Sequence, residues 1–567
     1  MIGLVAVTRA GRLAANQLAD SWPDAHVYDE PARAALPRAF RECEGVVCFL
    51  AVGATVRLVA PLLDGKGTDP GVVCVDETQR YAVPILGAHA GGGNALAKRV
   101  AVALGTEAVI TTGSDAAGTA GLDELGADLG LVIEPGSDLS GVGAAILSGD
   151  RVTFTADQGW PLPALPSNVT PAAEPARPAI VITDRADVRP GRGLVVYRPP
   201  SLTVGAGASR GVPAEEMGRL IDEVLDELGV SPQSVMTMAS ADVKADEAGL
   251  QAAAGRHGWP VVTFPAERLA AVPVPNPSET VRRAVGTPSV AEAAALLAAG
   301  PRGALVAAKR TSAHATAAVA RRAPRGRLAL IGIGPGARDL TTPRAITELR
   351  RASVVAGLDS YLEQVADLLR PGTRVLASGL GAEQERAAAA VAEARAGRAV
   401  ALIGSGDAGV YAMASPALEL AGSDIDVVVV PGVTAALAVA SVLGAPLGHD
   451  HVMISLSDLH TPWEMIERRI TAAADGDLVT CFYNPASAKR DWQLSRACEL
   501  LAARRPPATP VGWVRDATRP DQAAALSTLA EFDPAVADMH TLVVVGSSRT
   551  RVVAGRMVTP RDYRWAP

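Results

Sequence analysis

One pattern recurs along the whole chain: a short unbroken apolar run, a turn, then a helical stretch. "GLVAVT", "GVVCFLAV", "GVVCVD", "AVIT", "LVIE" and "AIVIT" are the first of these runs. Uninterrupted apolar strands suit sheets covered on both faces, and strands alternating with helices build βαβ units. The fold class read from this is α/β and multidomain, with largely parallel sheets. A length of 567 residues corresponds to about four domains at about 150 residues each. With 49% apolar and 20% charged residues the chain can fill several cores and is not disordered.

Charge and cysteine usage exclude several classes. The net charge of −7 speaks against a nucleic-acid partner, which requires clustered Lys and Arg. The five cysteines, Cys43, Cys48, Cys74, Cys481 and Cys498, form no CxxC pair, so neither a disulfide scaffold nor a metal site is expected, and a cytoplasmic location fits. The first 20 residues lack a basic lead, apolar core and cleavage site, so no signal peptide is read. "VVVVPGVTAALAVASVLGAPL" (427–447) is uncharged for 21 residues, but Pro431-Gly432 and Gly444-Ala-Pro446 break it. It reads as a buried strand, a tight turn and a buried helix, with no membrane association.

Alanine and arginine are over-used, so alanine-rich stretches say little about helices, while the five lysines and five asparagines stand out. Proline-dense 156–179 and "RRAPRGR" (321–327) each precede a fresh strand pattern and read as boundaries, dividing the chain near 120, 200 and 326.

The last third carries three glycine-rich strand-to-helix turns. They are "LIGIGPGARDLTTPRA", "ALIGSGDAGVYAMASPALEL" and "VVVVPGVTAALAVASVLGAPLGHD". The first resembles a phosphate loop, yet it lacks the Lys-Ser/Thr pair of such loops. Pro335 also removes a backbone N–H that a phosphate cradle would use. Three such turns in succession instead suggest one ligand shared between strand ends.

These segments, with the terminal "VVVGSSRT", resemble the tetrapyrrole methylases. "SGDAGVYAMASP", "HDHVMISLSDLHTPWEMIERRI" and "FYNPASAKRDWQL" are similar to the precorrin-3B C(17)-methyltransferases within that group. The resemblance covers 327–567, as subdomains of about 327–434 and 435–567. It implies S-adenosylmethionine as cofactor, a tetrapyrrole substrate, ring contraction with methylation, and a homodimer through this part. It implies a cofactor site of Gly334, Pro335, the turn Gly404-Ser405-Gly406-Asp407, Val410 and Tyr411. Thr434, Ala435, Leu456, Asn484 and Val514 complete it. The family's Gly-Pro-Gly-Asp is here Gly-Pro-Gly-Ala-Arg-Asp, with the acid displaced to Asp339. Proton transfer during contraction needs acid–base groups. Asp450 and His460 are the candidates taken forward from a cluster that includes His449, His451 and Asp458; a solvated loop is the open alternative. Arg468, Arg469, Lys489 and Arg490 either meet the substrate's carboxylate arms or face solvent.

Residues 1–320 resemble the CbiG family of cobalt-precorrin-5A hydrolases through "VRLVAPLL…DPGVVCVDE…GAHAGGGNALA" and "ASADVKADEAGL…PNPSETVRRAVGTPSVAEAAAL". The implied parts are an N-terminal domain (1–120), a middle domain with linker (121–200) and a C-terminal domain (201–322). The implied reaction opens a lactone and releases acetaldehyde. It needs an activated water and a clamp on the carbonyl. His89 as acid or base, Asn94 as a positioning donor, and Asp242, Lys244 and Glu247 are the candidates. Asp-x-Lys-x-x-Glu also reads as a helix start with i,i+3 pairing. Two alternatives stay open: the N-terminal half is a non-catalytic corrinoid-binding module, or the methylase modifies another ring carbon.

Overall fold

In the computed structural model, which describes residues 1–65, 68–88, 91–487 and 490–561, the apolar runs become strands. Arg327–Gly332 shows why its sequence is continuously apolar. Leu328 and Leu330 pack into one cluster with Val391 and Val400. Ala329 and Ile331 pack on the opposite face with Leu349 and Val355. Each buried Leu or Ile contributes about 1.5–3 kcal/mol. Ile2–Ala6 and Gly45–Phe49 are buried at every position for the same reason.

The described residues fall into two compact units. One is Met1–Gly159 with Leu165–Pro324 and Arg370–Gly372; the other is Arg325–Leu369 with Thr373–Pro567 and Trp160–Ala164.

The first unit holds three sheets. A six-stranded sheet runs in the order Ala25–Tyr28, Ile2–Ala6, Gly45–Phe49, Gly71–Val75, Tyr81–Leu86, Glu107–Ala108. Its strands are parallel except for the Gly71–Val75/Tyr81–Leu86 hairpin. A five-stranded sheet gathers Val132–Ile133, Leu194–Arg198, Ala179–Ile182, Val152–Ala156 and Val169–Pro171. Proline-dense 156–179, expected to mark a boundary, therefore contributes an edge strand to this sheet, where missing N–H groups are tolerated. The third sheet runs Val261–Phe264, Val235–Ala241, Leu202–Ala208, Ala315–Arg321, Ala304–Thr311, with the last two strands forming an antiparallel hairpin.

The second unit starts with an all-parallel sheet in the order Arg374–Ser378, Val354–Leu358, Ala399–Gly404, Arg327–Gly332, Asp426–Val430. Its second sheet is mixed. His451–Ser455 and Val479–Tyr483 are parallel, while Thr541–Val545, Pro510–Arg515 and Ala523–Thr528 follow antiparallel. Uncharged 427–447 forms the strand Asp426–Val430 and the helix Ala435–Leu443, as expected. The strand is not buried, however: it lies at the sheet edge, with Val429 exposed. Among the described residues no helix is long and apolar enough to cross a membrane.

Candidate functional site

The three glycine turns leave three adjacent strands of the parallel sheet, at their C-terminal ends, where ligands of open α/β sheets bind. Backbone bonds join the turns. Gly334 N donates to Gly406 O at 3.1 Å, and Gly406 N donates back to Gly334 O at 2.8 Å. Both glycines have positive φ, +84° and +67°, which side-chain-bearing residues rarely adopt. Gly432 packs so closely that a Cβ there would lie 2.1 Å from Gly406 O. Asp407 completes the junction: Oδ1 accepts from Gly409 N at 2.8 Å and Oδ2 from Gly432 N at 3.0 Å. Its carboxylate thus binds its own turn to the third one. Thr518 and Arg519 hold the first turn, through Ala337 N to Thr518 Oγ1 at 3.2 Å and Arg519 Nε to Pro335 O at 3.2 Å. Pro335 is buried, whereas the displaced Asp339 is exposed on a 3₁₀ turn.

Tyr483, missed by the sequence reading, organises the next layer. It ends the strand Val479–Tyr483, and its hydroxyl lies 2.6 Å from Thr434 Oγ1 and accepts from Ala436 N at 2.9 Å. It therefore anchors the start of helix Ala435–Leu443, where Thr434 makes no capping bond of its own. Burial pushes the Tyr483 hydroxyl above the ordinary tyrosine range, so it stays protonated. Tyr411, at φ +52°, stacks obliquely on it with centroids 5.2 Å apart and donates to Met453 O at 2.8 Å. Its sequence signals were its place at the end of an apolar run, just before Asn484, and its presence in the family-like segment "FYNPASAKRDWQL".

Asn484, also at positive φ, donates to Ser455 Oγ at 3.1 Å. Arg490 donates to the carbonyls of Leu456 and Asn484 at 3.2 and 3.0 Å, and lies 4.0 Å from Asp458. Gln493 donates to Asp458 Oδ2 at 3.2 Å, and its own Oε1 is buried without a partner among the described residues. Arg490, expected to meet substrate arms or solvent, instead fastens two loops. Arg468 and Arg469 are exposed, and Lys489 lies outside the described residues.

Not every expected residue joins this edge. Asp450 precedes the strand His451–Ser455, whereas Leu456, Asp458 and His460 follow it. At about 3.3 Å per residue the strand separates its two ends by about 13 Å. Asp450, with His449 and His451, is therefore at the far end, its side chain 81% exposed. Asp458, at 34%, is the carboxylate held on the near side. His460 is exposed in the near-side loop. Leu456 and Val514 are wholly buried in apolar clusters, so neither side chain faces outward toward an adenine. Val410 and Ala435 are partly exposed beside the second and third turns, as is Ser405. Gly404 is buried, and a Cβ there would meet Ala412 Cβ at an ordinary van der Waals distance of 3.5 Å, so packing alone does not demand glycine at this position.

In the first unit, the expected base His89 lies outside the described residues. Asn94 is 5% exposed, on the first turn of helix Gly93–Leu104. Its amide donates to Thr112 Oγ1 at 3.1 Å and Asp115 Oδ2 at 2.9 Å, while Oδ1 is buried without a partner among the described residues. Asn94 was expected to act as a donor; with its amide N–H groups committed, it presents an acceptor. The tight backbone contacts of Gly71 with Gly91 and Gly93 explain the glycine run before it. In the third sheet Asp242 is exposed, but Lys244 and Glu247 pair at 3.8 Å with side chains only 16% and 10% exposed. Glu247 Oε1 also accepts from Gly211 N at 2.9 Å. The i,i+3 pairing is therefore present, and half-buried rather than solvated. Among the described residues no His, Cys, Asp and Glu group of three could hold a metal.

Comparison with known proteins follows the two units. Residues 327–533 match the family described as Tetrapyrrole (Corrin/Porphyrin) Methylases. Residues 34–115, 120–199 and 202–320 match, in order, the Cobalamin synthesis G N-terminal, Cobalamin biosynthesis central region and Cobalamin synthesis G C-terminus families. A probable cobalt-factor III C(17)-methyltransferase of Salmonella typhimurium is 47% identical over 239 residues, covering 42% of this chain and 99% of that protein. A precorrin-3B C(17)-methyltransferase of a Sinorhizobium species is 41% identical, covering 42% of this chain and 98% of that protein. The CobIJ protein of Mycobacterium tuberculosis is 44% identical, but the match covers only 48% of its length. Among solved structures, the methyltransferase CobJ is 37% identical with a TM-score of 0.40, covering 42% of this chain and all of that one.

Proposed function

We propose, for a chain that belongs to the tetrapyrrole methylases in its C-terminal part and to the cobalamin synthesis G family in its N-terminal part, a bifunctional role in corrin-ring biosynthesis. The C-terminal part methylates C-17 of precorrin-3B or cobalt-factor III with ring contraction. The N-terminal part opens the lactone of cobalt-precorrin-5A and releases acetaldehyde. The observation that carries the first activity is the junction of three turns through Gly334, Gly406, Asp407 and Gly432 on adjacent parallel strands.

Tetrapyrrole methylases use S-adenosylmethionine, which when bound supplies an electrophilic methyl on a sulfonium. In this chain the residues to hold it are Pro335, Gly404 to Asp407, Val410, Thr434 and Ala435. The partly exposed Ser405, Val410 and Ala435, with the glycines beside them, fit a ligand gripped through carbonyls and N–H groups. Leu456 and Val514 contribute as packing behind the wall. Tyr411 and Asn484 shape the side toward the substrate. Accepting a methyl cation equivalent leaves the ring system one positive charge richer, so one proton must depart. Asp458, bonded by Gln493 at 3.2 Å and 4.0 Å from Arg490, is the candidate to take it in this reading, in preference to Asp450 at the other end of the strand. The five buried, unpaired cysteines support work in a reducing cytoplasm. The exposed apolar edge strand Asp426–Val430 supports pairing as a homodimer, which light scattering tests.

The deciding experiment incubates the full chain with S-adenosylmethionine and precorrin-3B or cobalt-factor III, then with cobalt-precorrin-5A. A methylated, contracted corrinoid by mass and NMR, together with acetaldehyde, is the expected result. Methylation at another carbon overturns the C-17 assignment. Corrinoid binding without acetaldehyde makes the N-terminal part a binding module.

A further inference from the structure

At the C-terminal edge of the third sheet lies a histidine–carboxylate pair that the sequence patterns did not single out. His314 is in the tip of the hairpin joining Ala304–Thr311 to Ala315–Arg321, and its side chain is 59% exposed. Glu216, in the first turn of helix Ala214–Leu228, wraps that tip. Its Oε1 accepts from Ser312 Oγ at 2.5 Å and from His314 N at 2.7 Å, while Oε2 faces His314 Nδ1 at 3.1 Å. A carboxylate can only accept, so Nδ1 carries a proton, and in the neutral imidazole Nε2 then keeps a free lone pair. This is the relation of base to orienting acid found in hydrolytic triads, recognised by geometry rather than by sequence position.

The pair and the half-buried Lys244 lie on either side of one short loop of the same lobe. Ser209 N donates to His314 O at 2.8 Å, and two residues later Gly211 N donates to Glu247 Oε1 at 2.9 Å. Two residues of chain reach at most about 7 Å. Lys244, ion-paired with Glu247, therefore flanks the same short loop as His314. That loop leaves the central strand of its sheet, Leu202–Ala208, at the C-terminal end where such sheets bind ligands.

We propose that His314, oriented by Glu216, is the general base of lactone hydrolysis, with Lys244 as the electrophilic partner; this rests on the hydrolase reading of the N-terminal part. His314 Nε2 takes a proton from water as the water oxygen bonds to the lactone carbonyl carbon. The carbonyl π pair moves onto its oxygen, which Lys244 stabilises by donating a hydrogen bond. Collapse of that adduct restores the carbonyl and breaks the ring C–O bond, and the departing oxygen recovers the proton from His314. Water is the only co-reactant, and this step gives one carboxyl group and one hydroxyl group. The hydroxyl-bearing carbon then leaves as acetaldehyde as its O–H proton is lost, its C–C bond to the ring breaks and the ring system takes up one proton.

The test measures acetaldehyde release from cobalt-precorrin-5A by the full chain, with the fold of each variant checked by its thermal midpoint. His314→Ala is expected to lower kcat at least 100-fold with KM within twofold, as loss of a general base does. Added imidazole should restore part of that rate. Glu216→Gln, a positioning variant, should lower kcat at least tenfold with KM unchanged. Wild-type kcat in His314→Ala overturns the proposal, as does a loss that imidazole leaves untouched. So does a pattern in which His89→Ala is inactive and His314→Ala is active. A wild-type chain that releases no acetaldehyde removes the hydrolase reading, and this proposal with it.

Discussion

Asp407 shows how a residue's neighbours redefine its role. Family resemblance groups it with cofactor-lining residues, yet both carboxylate oxygens are engaged by backbone N–H groups of Gly409 and Gly432. Bonds to a charged acceptor are worth about 1.5–3 kcal/mol each, and the stranded N–H groups add a penalty when the acceptor is removed. Asp407→Ala is expected to destabilise the second unit by about 2–4 kcal/mol, read as a shift in denaturant midpoint at unchanged slope. Weakened S-adenosylmethionine binding by calorimetry should accompany it. Gly432→Ala should be at least as damaging, because its Cβ would meet Gly406 O at 2.1 Å. The glycines and Asp407 were legible because their spacing marks strand-to-helix turns. What they touch was not, since Asp407 and Gly432 meet only once two strands lie side by side. Asp450 failed for a related reason. A polar cluster in a sequence does not reveal which residues precede a strand and which follow it.

Two elements depend on single side chains reaching in from elsewhere. Helix Ala435–Leu443 begins at Thr434, whose hydroxyl bonds Tyr483 rather than the helix's own first turn. Tyr483→Phe should cost about 1–3 kcal/mol by leaving Ala436 N without its acceptor, and should raise hydrogen exchange in the first turn of that helix. Sequence propensity could not indicate this, because the acceptor is a tyrosine 47 residues away. The hairpin tip at 312–315 depends likewise on Glu216. The Ser312 hydroxyl, then the His314 backbone N–H, lower the Glu216 pKa from 4.5 to about 2. A depressed folded-state pKa stabilises above the unfolded value and is lost as pH falls through the folded one. The tip should therefore stay protected from hydrogen exchange at pH 5 and lose protection progressively between about pH 4.5 and 2. Glu216→Gln should lack that transition.

The whole molecule was the most legible scale. Continuous apolar runs such as those at Ile2–Ala6, Gly45–Phe49 and Arg327–Gly332 foretold parallel strands in the sheet interior. The runs at Val132–Ile133 and Asp426–Val430 instead became partly exposed strands, the first of them antiparallel. All five cysteines are buried and unpaired. The antiparallel strands of the last sheet were not foreseen, because an apolar run carries no sign of its direction. With separate cores in its two units, the chain should unfold in two calorimetric transitions. S-adenosylhomocysteine at about 100 times its Kd adds about 2.7 kcal/mol to the unit that binds it. Only one transition should rise, by about 5–10 °C. Equal movement of both would overturn the assignment of cofactor binding to residues 325–567. The joined turns have a consequence for anyone who would alter this enzyme's choice of methyl donor. Gly334, Gly406, Asp407 and Gly432 each form a boundary that another of the four needs. Substitutions among them will be strongly epistatic. A library randomised one turn at a time would therefore consist mainly of inactive variants. Altered donor use is reachable only by changing the turns jointly, or by leaving these four fixed and varying Ser405, Val410 and Ala435 around them.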